Sequence, residues 1–387
     1  MEKSKYDNRD MYTEYGSLKK KRDNTEINKF NADVNMIVGR RSNGKTYPTL
    51  TFDGVKEFID SDYTHAFAYV RRFDSDFRIG QLATLLFSNG CVSNGWLEWY
   101  TKGEWNDIYY YRGAWYFRHI DVNAKVTKKL SKPVCYAFSI NQCEKYKGAD
   151  HPDIYTIILD EFIPMKSERG YVAGEWNLWQ NIVSSIVRER GNVKIYMLAN
   201  TISKNCPYFD HYHIDIDDIE QGTISIFNFK GGLKLAVEYC KDSGDVHIES
   251  SKYFDIDDTQ NMITDGTWET ERYPHLPNKY RKYRDFVYFN PFFIQQGSKW
   301  LKGEFLSTEE LNMIYFHRVT TTPKREEDVC YMEYFDEEQI NRHNYRVGMK
   351  PNIYLLDKTI LKMIDNNQVY YQDDDVGEKV KYFLENT

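Results

Sequence analysis

Eight consecutive residues, Gly39-Arg40-Arg41-Ser42-Asn43-Gly44-Lys45-Thr46, follow the pattern G-x-x-x-x-G-K-[ST]. Each fixed position has a physical reason. The glycines let the backbone wrap tightly, so that its N–H groups point at phosphate oxygens. A helix starting at the loop adds the partial positive charge of its N-terminus. The Lys45 ammonium can reach the β- and γ-phosphates of ATP, and the Thr46 hydroxyl can hold Mg²⁺. A second group is independent of the first. Ile157-Ile158-Leu159-Asp160-Glu161 is an apolar run ending in two acids. Carboxylates are costly to bury unpaired, so both need a partner. Asp160 would accept from the water shell of the metal, and Glu161 would orient and deprotonate the attacking water.

Three further residues have two readings each. Asn200 ends the next apolar run, where a polar side chain can sense the γ-phosphate; asparagine also forms turns there. Arg188 and Arg190 close a helical segment. They either complement its dipole or act as an arginine finger for a neighbouring subunit's nucleotide.

These residues need strands and helices to hold them. Val34 to Val38 reads as a buried strand running into the glycine loop, and helical spacing follows from Gly44 to about Ser61, with Pro48 in its first turn. Ala66 to Val70, Val134 to Ile140, Ile154 to Leu159 and Val193 to Leu198 read as further strands. Residues 92–132 are aromatic and turn-rich, and Ile108–Arg112, Gly113-Ala114 and Trp115–Arg118 predict a β-hairpin. Trp176, Trp179, Ile182, Val183, Ile186 and Val187 predict an amphipathic helix over 175–190, capped by Gly191. Strands alternating with helices over 30–200 predict an α/β unit with a mostly parallel sheet.

The pattern changes after about residue 245. The expected organisation is a polar N-terminal arm over 1–29, a P-loop ATPase domain over 30–245 with a hairpin insertion at 92–132, a linker over 246–284, and a small α+β domain over 285–387. A chain of 387 residues suits two such domains. With 41% hydrophobic and 28% charged residues, wholesale disorder is excluded. No run approaches the roughly 18 apolar residues of a membrane span. The first residues, Met1 to Asp7, lack the apolar core of a secretory signal. The six cysteines stand singly, which speaks against a zinc ribbon or disulfide framework and fits a reducing cytoplasm.

The net charge is -7, so nucleic-acid binding would have to use local patches. Lys125, Lys128, Lys129 and Lys132 form one basic stretch, and Lys279, Arg281, Lys282 and Arg284 another. Either could hold DNA phosphates or be a solvated face. Lys19 to Arg22 reads as part of a solvated arm, and Asp210 to Asp218 as a solvated acidic connector rather than a metal site. Asp373-Asp374-Asp375 reads as an exposed loop. Asp336, Glu337 and Glu338 read as a helix start rather than nuclease acids.

The order and spacing of several strings resemble the DNA encapsidation ATPases of podovirus-type tailed phages. They are the Gly39 to Thr46 loop, Phe67-Ala68-Tyr69-Val70-Arg71-Arg72, Leu159-Asp160-Glu161-Phe162-Ile163, Arg188-Glu189-Arg190 leading to Asn200, and Asn205-Cys206-Pro207-Tyr208-Phe209. The resemblance covers about residues 30–210. It implies an additional-strand (ASCE) P-loop ATPase with ATP and Mg²⁺. Such an enzyme forms a homo-oligomeric, pentameric ring on the procapsid portal, in the host cytoplasm, and drives double-stranded DNA into the shell. Some relatives also use a packaging RNA. It further implies a C-terminal domain resembling a ribonuclease-H-type nuclease that has lost its metal-binding acids. Arg188 is the closest match to the trans-acting arginine, with Arg190 next. Two alternatives are another DNA-dependent ATPase of this class, helicase-like or replication-associated, and a nucleotide-binding structural ring subunit. Glu161 speaks against the last, because a pure binder needs no water-activating base.

Overall fold

The five apolar runs between residues 34 and 200 become parallel neighbours in one sheet. The computed structural model describes residues 2–5, 12–13, 21–22, 24–40, 44–78, 83, 85–146, 148, 150–164, 170–240, 272–277, 290–296, 299–307, 312–319, 328–333 and 344–386. In chain order the first unit contains β1 (Glu2–Lys5), α1 (Thr25–Asn28), β2 (Val34–Gly39), α2 (46–60) and β3 (Ala66–Arg71). There follow β4 (Asp107–Tyr111), β5 (Ala114–Ile120), β6 (Val126–Lys129), β7 (Cys135–Ser139) and β8 (Ile154–Asp160). Then come α3 (Glu175–Val187), β9 (Lys194–Asn200), β10 (Thr223–Asn228) and β11 (Lys234–Tyr239). The sheet order is β1-β10-β11-β2-β9-β8-β3-β7-β5-β4, with β6 beside β5. The run from β11 to β7 is parallel throughout.

Parallel strands covered on both faces read as continuous apolar runs, and every residue of β2 is buried. Register sets which residues meet. Gly39 pairs with Asn200, Leu198 with Asp160, and Leu159 with Val70. The C-terminal ends of β2, β9, β8 and β3 therefore line one edge of the sheet. Helix α2 begins at Thr46 with Pro48 in its first turn, and widens to π-helical geometry over Thr49–Lys56. Gly54 lets it lie close to β3: a Cβ there would come within 2.8 Å of the Phe67 ring.

Several expectations are corrected. The amino-terminal segment is not simply a solvated arm. Glu2–Lys5 pairs antiparallel with Thr223–Ile226 of β10, and Ile27 of α1 is fully buried. The side chains of Lys19 to Arg22 lie outside the described residues. The hairpin at Gly113 forms as expected, and β6 adds a third strand. Helix α3 stops at Val187, so Arg188 is not in its last turn, and Gly191 is not its cap. Arg188 ends the helix with a left-handed φ of 46°.

The chain divides into two units, Met1–Lys204 with Ile216–Trp268, and Asn205–Asp215 with Glu269–Thr387. Asn205–Asp215, assigned from sequence to the first domain, thus groups with the second. Of the acidic run Asp210 to Asp218, Asp210 is not solvated: it accepts a hydrogen bond from the Tyr382 hydroxyl (2.9 Å) and follows the buried Tyr208 and Phe209, whereas Asp217 and Asp218 are exposed.

The second unit contains β12 (Phe292–Gln296), β13 (Lys299–Ser307), β14 (Asn312–Arg318), β15 (Val329–Met332) and β16 (Tyr345–Val347). Helix α4 (Leu355–Asp365), β17 (Val369–Tyr371) and α5 (Asp374–Asn386) complete it. Its sheet order is β16-β15-β12-β13-β14-β17. Ile360 of α4 and Val376, Val380 and Phe383 of α5 close the core against Phe292, Ile314 and Phe316. The Asp373–Asp375 run is not a bare loop. Asp373 caps α5 through the Val376 N–H (3.0 Å), and Arg318 bridges Asp373 and Asp375.

Candidate nucleotide site

The edge formed by the ends of β2, β8 and β9 opens into a cavity lined by Gly44, Lys45, Thr46, Tyr47, Asp160, Glu161, Ala199 and Asn200. Gly44 takes a φ of +71°, a conformation that glycine adopts without strain, and Lys45 and Thr46 follow at the start of α2. The Lys45 side chain is buried. Its ammonium donates to the carbonyls of Gly39 (2.9 Å) and Arg40 (2.7 Å) and to Asn200 Oδ1 (3.0 Å). The loop's cation and the strand-end amide thus meet directly. Arg41, Ser42 and Asn43 lie outside the described residues.

The Thr46 hydroxyl donates to Asp160 Oδ1 at 3.5 Å. A hydroxyl beside a carboxylate is an oxygen donor pair that suits a hard cation. Asp160 is buried, and burial pushes its carboxyl above the usual carboxylate range, with Arg71 opposing the shift and Glu161 adding to it. The Tyr69 hydroxyl donates to Asp160 Oδ2 (2.7 Å). Glu161 follows with a left-handed φ of 58°, costly for a residue with a Cβ, which turns its carboxylate off the strand line.

Two arginines at the end of β3 hold this turn. Arg71 donates to Glu161 Oε2 (2.5 Å) and Asp76 Oδ2 (3.3 Å), and its Nη1 lies 3.7 Å from Asp160 Oδ2. Although burial alone would lower it, the nearby Tyr69, Asp160 and Glu161 hold its guanidinium firmly charged. A second cavity beside it is lined by Arg71, Arg72, Phe73, Ser75, Asp76, Asp160 and Glu161. Arg72 is buried and grips Glu175, the first residue of α3, with two hydrogen bonds (2.8 and 3.0 Å). It also donates to the carbonyls of Glu161 (3.1 Å) and Phe162 (2.8 Å). Tyr69 and Glu175 were not read as site residues from the sequence. The usable signal was an Arg-Arg pair closing a strand as apolar as the one bearing the acids.

Arg188 and Arg190 lie at the other end of β8. Arg190 donates to the carbonyls of Pro152 (2.8 Å), Ile154 (2.8 Å) and His151 (3.1 Å) and to that of Ile186. Arg188 is half-exposed, with Asp150 at 3.7 Å. The six residue steps from Ile154 to Asp160 span ~20 Å. Neither arginine is therefore brought to the cavity of its own chain.

Lys125, Lys128, Lys129 and Lys132 are all exposed; Lys128 is tied to Glu104 (2.6 Å) and lies over Trp105, and Lys129 lies over Tyr109. Lys279, Arg281, Lys282 and Arg284 lie outside the described residues, as do Asp336, Glu337 and Glu338. Among the described residues no group of three or more His, Cys, Asp or Glu could hold a metal ion, and no helix is long and apolar enough to cross a membrane.

Residues 114–273 match the family described as Podovirus DNA encapsidation protein (Gp16). The chain is 25% identical over 213 residues to the DNA packaging protein of Bacillus phage B103, covering 55% of this chain and 56% of that protein. It is 26% identical over 183 residues to the DNA packaging protein of Bacillus phage phi29, covering 47% and 46%. The chain spans about half the length of the curated relatives it matches. In fold it is similar to the Phi-28 gp11 DNA packaging motor, with a TM-score of 0.56 at 15% identity over 94% of this chain and 97% of that one. It is likewise similar to the bacteriophage Phi-29 viral genome packaging motor assembly, with a TM-score of 0.55 at 17% identity over 94% and 98%. The resemblance read from the sequence therefore holds: over residues 114–273 the chain is similar to the podovirus DNA encapsidation proteins.

Proposed function

We propose that the chain is an ATP-hydrolysing motor that moves double-stranded viral DNA into a preformed procapsid. The observation that carries this reading is the convergence of Lys45, Thr46, Asp160, Glu161 and Asn200 on one cavity at one sheet edge. The strand β9 between β2 and β8 supports the additional-strand class of P-loop ATPase. Gly39 to Thr46 would cradle the phosphates, with Lys45 turning from its loop carbonyls to the β- and γ-oxygens. Thr46 and Asp160 fit Mg²⁺, which when bound would neutralise phosphate charge. Glu161 would take the proton of the attacking water, and Asn200, already bonded to Lys45, would register the γ-phosphate.

Arg188 is the candidate trans finger. Its exposed position on the far edge of the sheet supports action on a neighbouring subunit in a ring, pentameric in the family pattern. The four carbonyl contacts of Arg190 support a positioning role instead. The partners of this reading are double-stranded DNA, the procapsid portal and, as in some relatives, a packaging RNA, with the ring assembled on the procapsid in the host cytoplasm. Lys125, Lys129 and Lys132 remain candidates for phosphate contacts.

In the second unit the order β14-β13-β12-β15-β16 supports a ribonuclease-H-like fold. Its central strand reads Phe292-Phe293-Ile294-Gln295-Gln296 and offers no carboxylate, which supports an inactive nuclease.

In vitro packaging with purified procapsids, DNA and ATP tests the reading. DNA protected from nuclease only when ATP is hydrolysed is the expected result. DNA-stimulated hydrolysis without protection would favour another DNA-dependent ATPase. Binding of ATP without turnover would leave a structural ring subunit.

A further inference from the structure

The sheet of the first unit ends in a small antiparallel extension, β4, β5 and β6. One face joins the core through Ile108, Trp115 and Phe117. Alternation along the strands decides what the other face carries. Tyr109 pairs with Tyr116, Tyr111 with Ala114, and Arg118 with both Asp107 and Lys129, so these side chains share the outer face. The Tyr109 and Tyr116 rings lie 5.7 Å apart. The Arg118 guanidinium and the Lys129 ammonium lie 5.1 and 5.4 Å from the Tyr109 ring centre. At the hairpin turn Arg112 lies 5.1 Å from the ring of Tyr111, which is 51% exposed.

The face is thus a row of three tyrosines interleaved with three cations. Its charge has a direction. Residues 102–132 carry seven Lys and Arg against three Asp and Glu, a net of +4 in a chain whose net is -7. On the outer face itself Arg112, Arg118 and Lys129 stand against Asp107, which pairs with Arg118, while Glu104 is engaged by Lys128. Cations alone would serve any polyanion. Ring faces add something specific, because they stack on bases, and only unpaired bases expose their faces. A duplex keeps its bases stacked inside and would meet the cations alone.

We propose that the outer face of β4, β5 and β6 binds single-stranded nucleic acid. Unpaired bases stack on Tyr109, Tyr111 and Tyr116, and phosphates meet Arg112, Arg118 and Lys129. The site is separate from the nucleotide cavity and does not depend on ATP hydrolysis.

The test is fluorescence anisotropy of the full chain, without ATP, against labelled oligothymidine, oligouridine and a duplex of equal length. Both single strands, or one of them, should bind more tightly than the duplex at matched salt. A further probe, oligodeoxyuridine, differs from oligouridine in the sugar alone: preference for oligouridine identifies RNA as the source of the strand, the reverse preference identifies DNA, and equal binding identifies a face indifferent to the sugar. Tyr111→Ala should weaken binding by about 5- to 100-fold, the loss of one stacked base, whereas Tyr111→Phe should not. Lys129→Gln should weaken it and reduce its salt dependence by about one phosphate contact. Thermal melting of each variant checks the fold; should Tyr111→Ala melt early, Arg112→Ala and Lys129→Gln carry the comparison of single strand with duplex. Duplex binding as tight as single-strand binding, or wild-type affinity in a folded Tyr111→Ala, overturns the proposal. Neither result bears on ATP turnover, which is measured separately.

Discussion

Arg71 holds Glu161 at 2.5 Å and stands 3.7 Å from Asp160, so one guanidinium faces both acids at the end of β8. Removing it would leave Asp160 buried without its nearest cation. Breaking a fully buried pair costs about 3–5 kcal/mol. Glu161 is 38% exposed at its side chain, so a loss of about 2 kcal/mol is expected for Arg71→Ala. A double-mutant cycle with Glu161→Gln, read by denaturant unfolding, should give a coupling energy of about 0.5–3 kcal/mol. Strict additivity would mean that the pair contributes nothing.

Lys45→Ala should abolish ATP hydrolysis, because the phosphates lose their direct cation. Glu161→Gln should instead retain bound ATP, with turnover reduced by about 10²–10⁴-fold. Filter binding and phosphate release measured on the same samples distinguish the two. Wild-type turnover in Glu161→Gln would remove that residue from the role of base.

Arg188→Ala should bind ATP but turn it over poorly, since an arginine finger contributes about 10³–10⁵ in rate. Mixed with Lys45→Ala under ring-forming conditions, with procapsids and DNA, it should partly recover hydrolysis, because some interfaces then join an intact P-loop to an intact Arg188. A confirmed ring with no recovery would move the role to another arginine of the neighbouring subunit, since Arg188 lies at the far end of β8 from its own Asp160.

Asp53 of α2 accepts hydrogen bonds from Asn24 (2.6 Å), Asn28 (2.7 Å) and Tyr196 (3.1 Å), yet burial pushes its carboxyl up to about 6. A raised carboxyl pKa favours the protonated folded state. This contribution is complete below the unfolded value near 3.8 and is lost as pH rises through about 6. Unfolding free energy from urea melts should therefore fall by about 3 kcal/mol across that window, relative to Asp53→Asn. A parallel pH profile for the two proteins would count against it. Asn24 Oδ1, buried without a hydrogen-bond partner, could accept from the new amide once its own amide turns over.

The parts of the site that lie on continuous apolar strands were legible in the sequence. Val34 to Gly39 and Ile154 to Asp160 declare themselves because a strand covered on both faces is made mostly of apolar residues. Glu2–Lys5 does not, because a polar edge strand gains its order from β10, more than two hundred residues away. Arg72 and Glu175 are separated by 103 positions, and local spacing carries no trace of that pair. The end of α3 was misjudged by periodicity. Val187 continues the helical pattern, and only the left-handed turn at Arg188 stops it.

The grip of Arg72 has a mechanical consequence. It fastens the turn after Asp160 to Glu175, while Arg188 adjoins the other end of the same helix. Thirteen residues of α-helix make a strut of ~20 Å. A stiff strut fixed at one end to the turn after Asp160 cannot absorb a shift there; it delivers the shift to its far tip. A displacement at the cavity edge of the sheet would thus be felt at the opposite edge without any rearrangement of the strands between them.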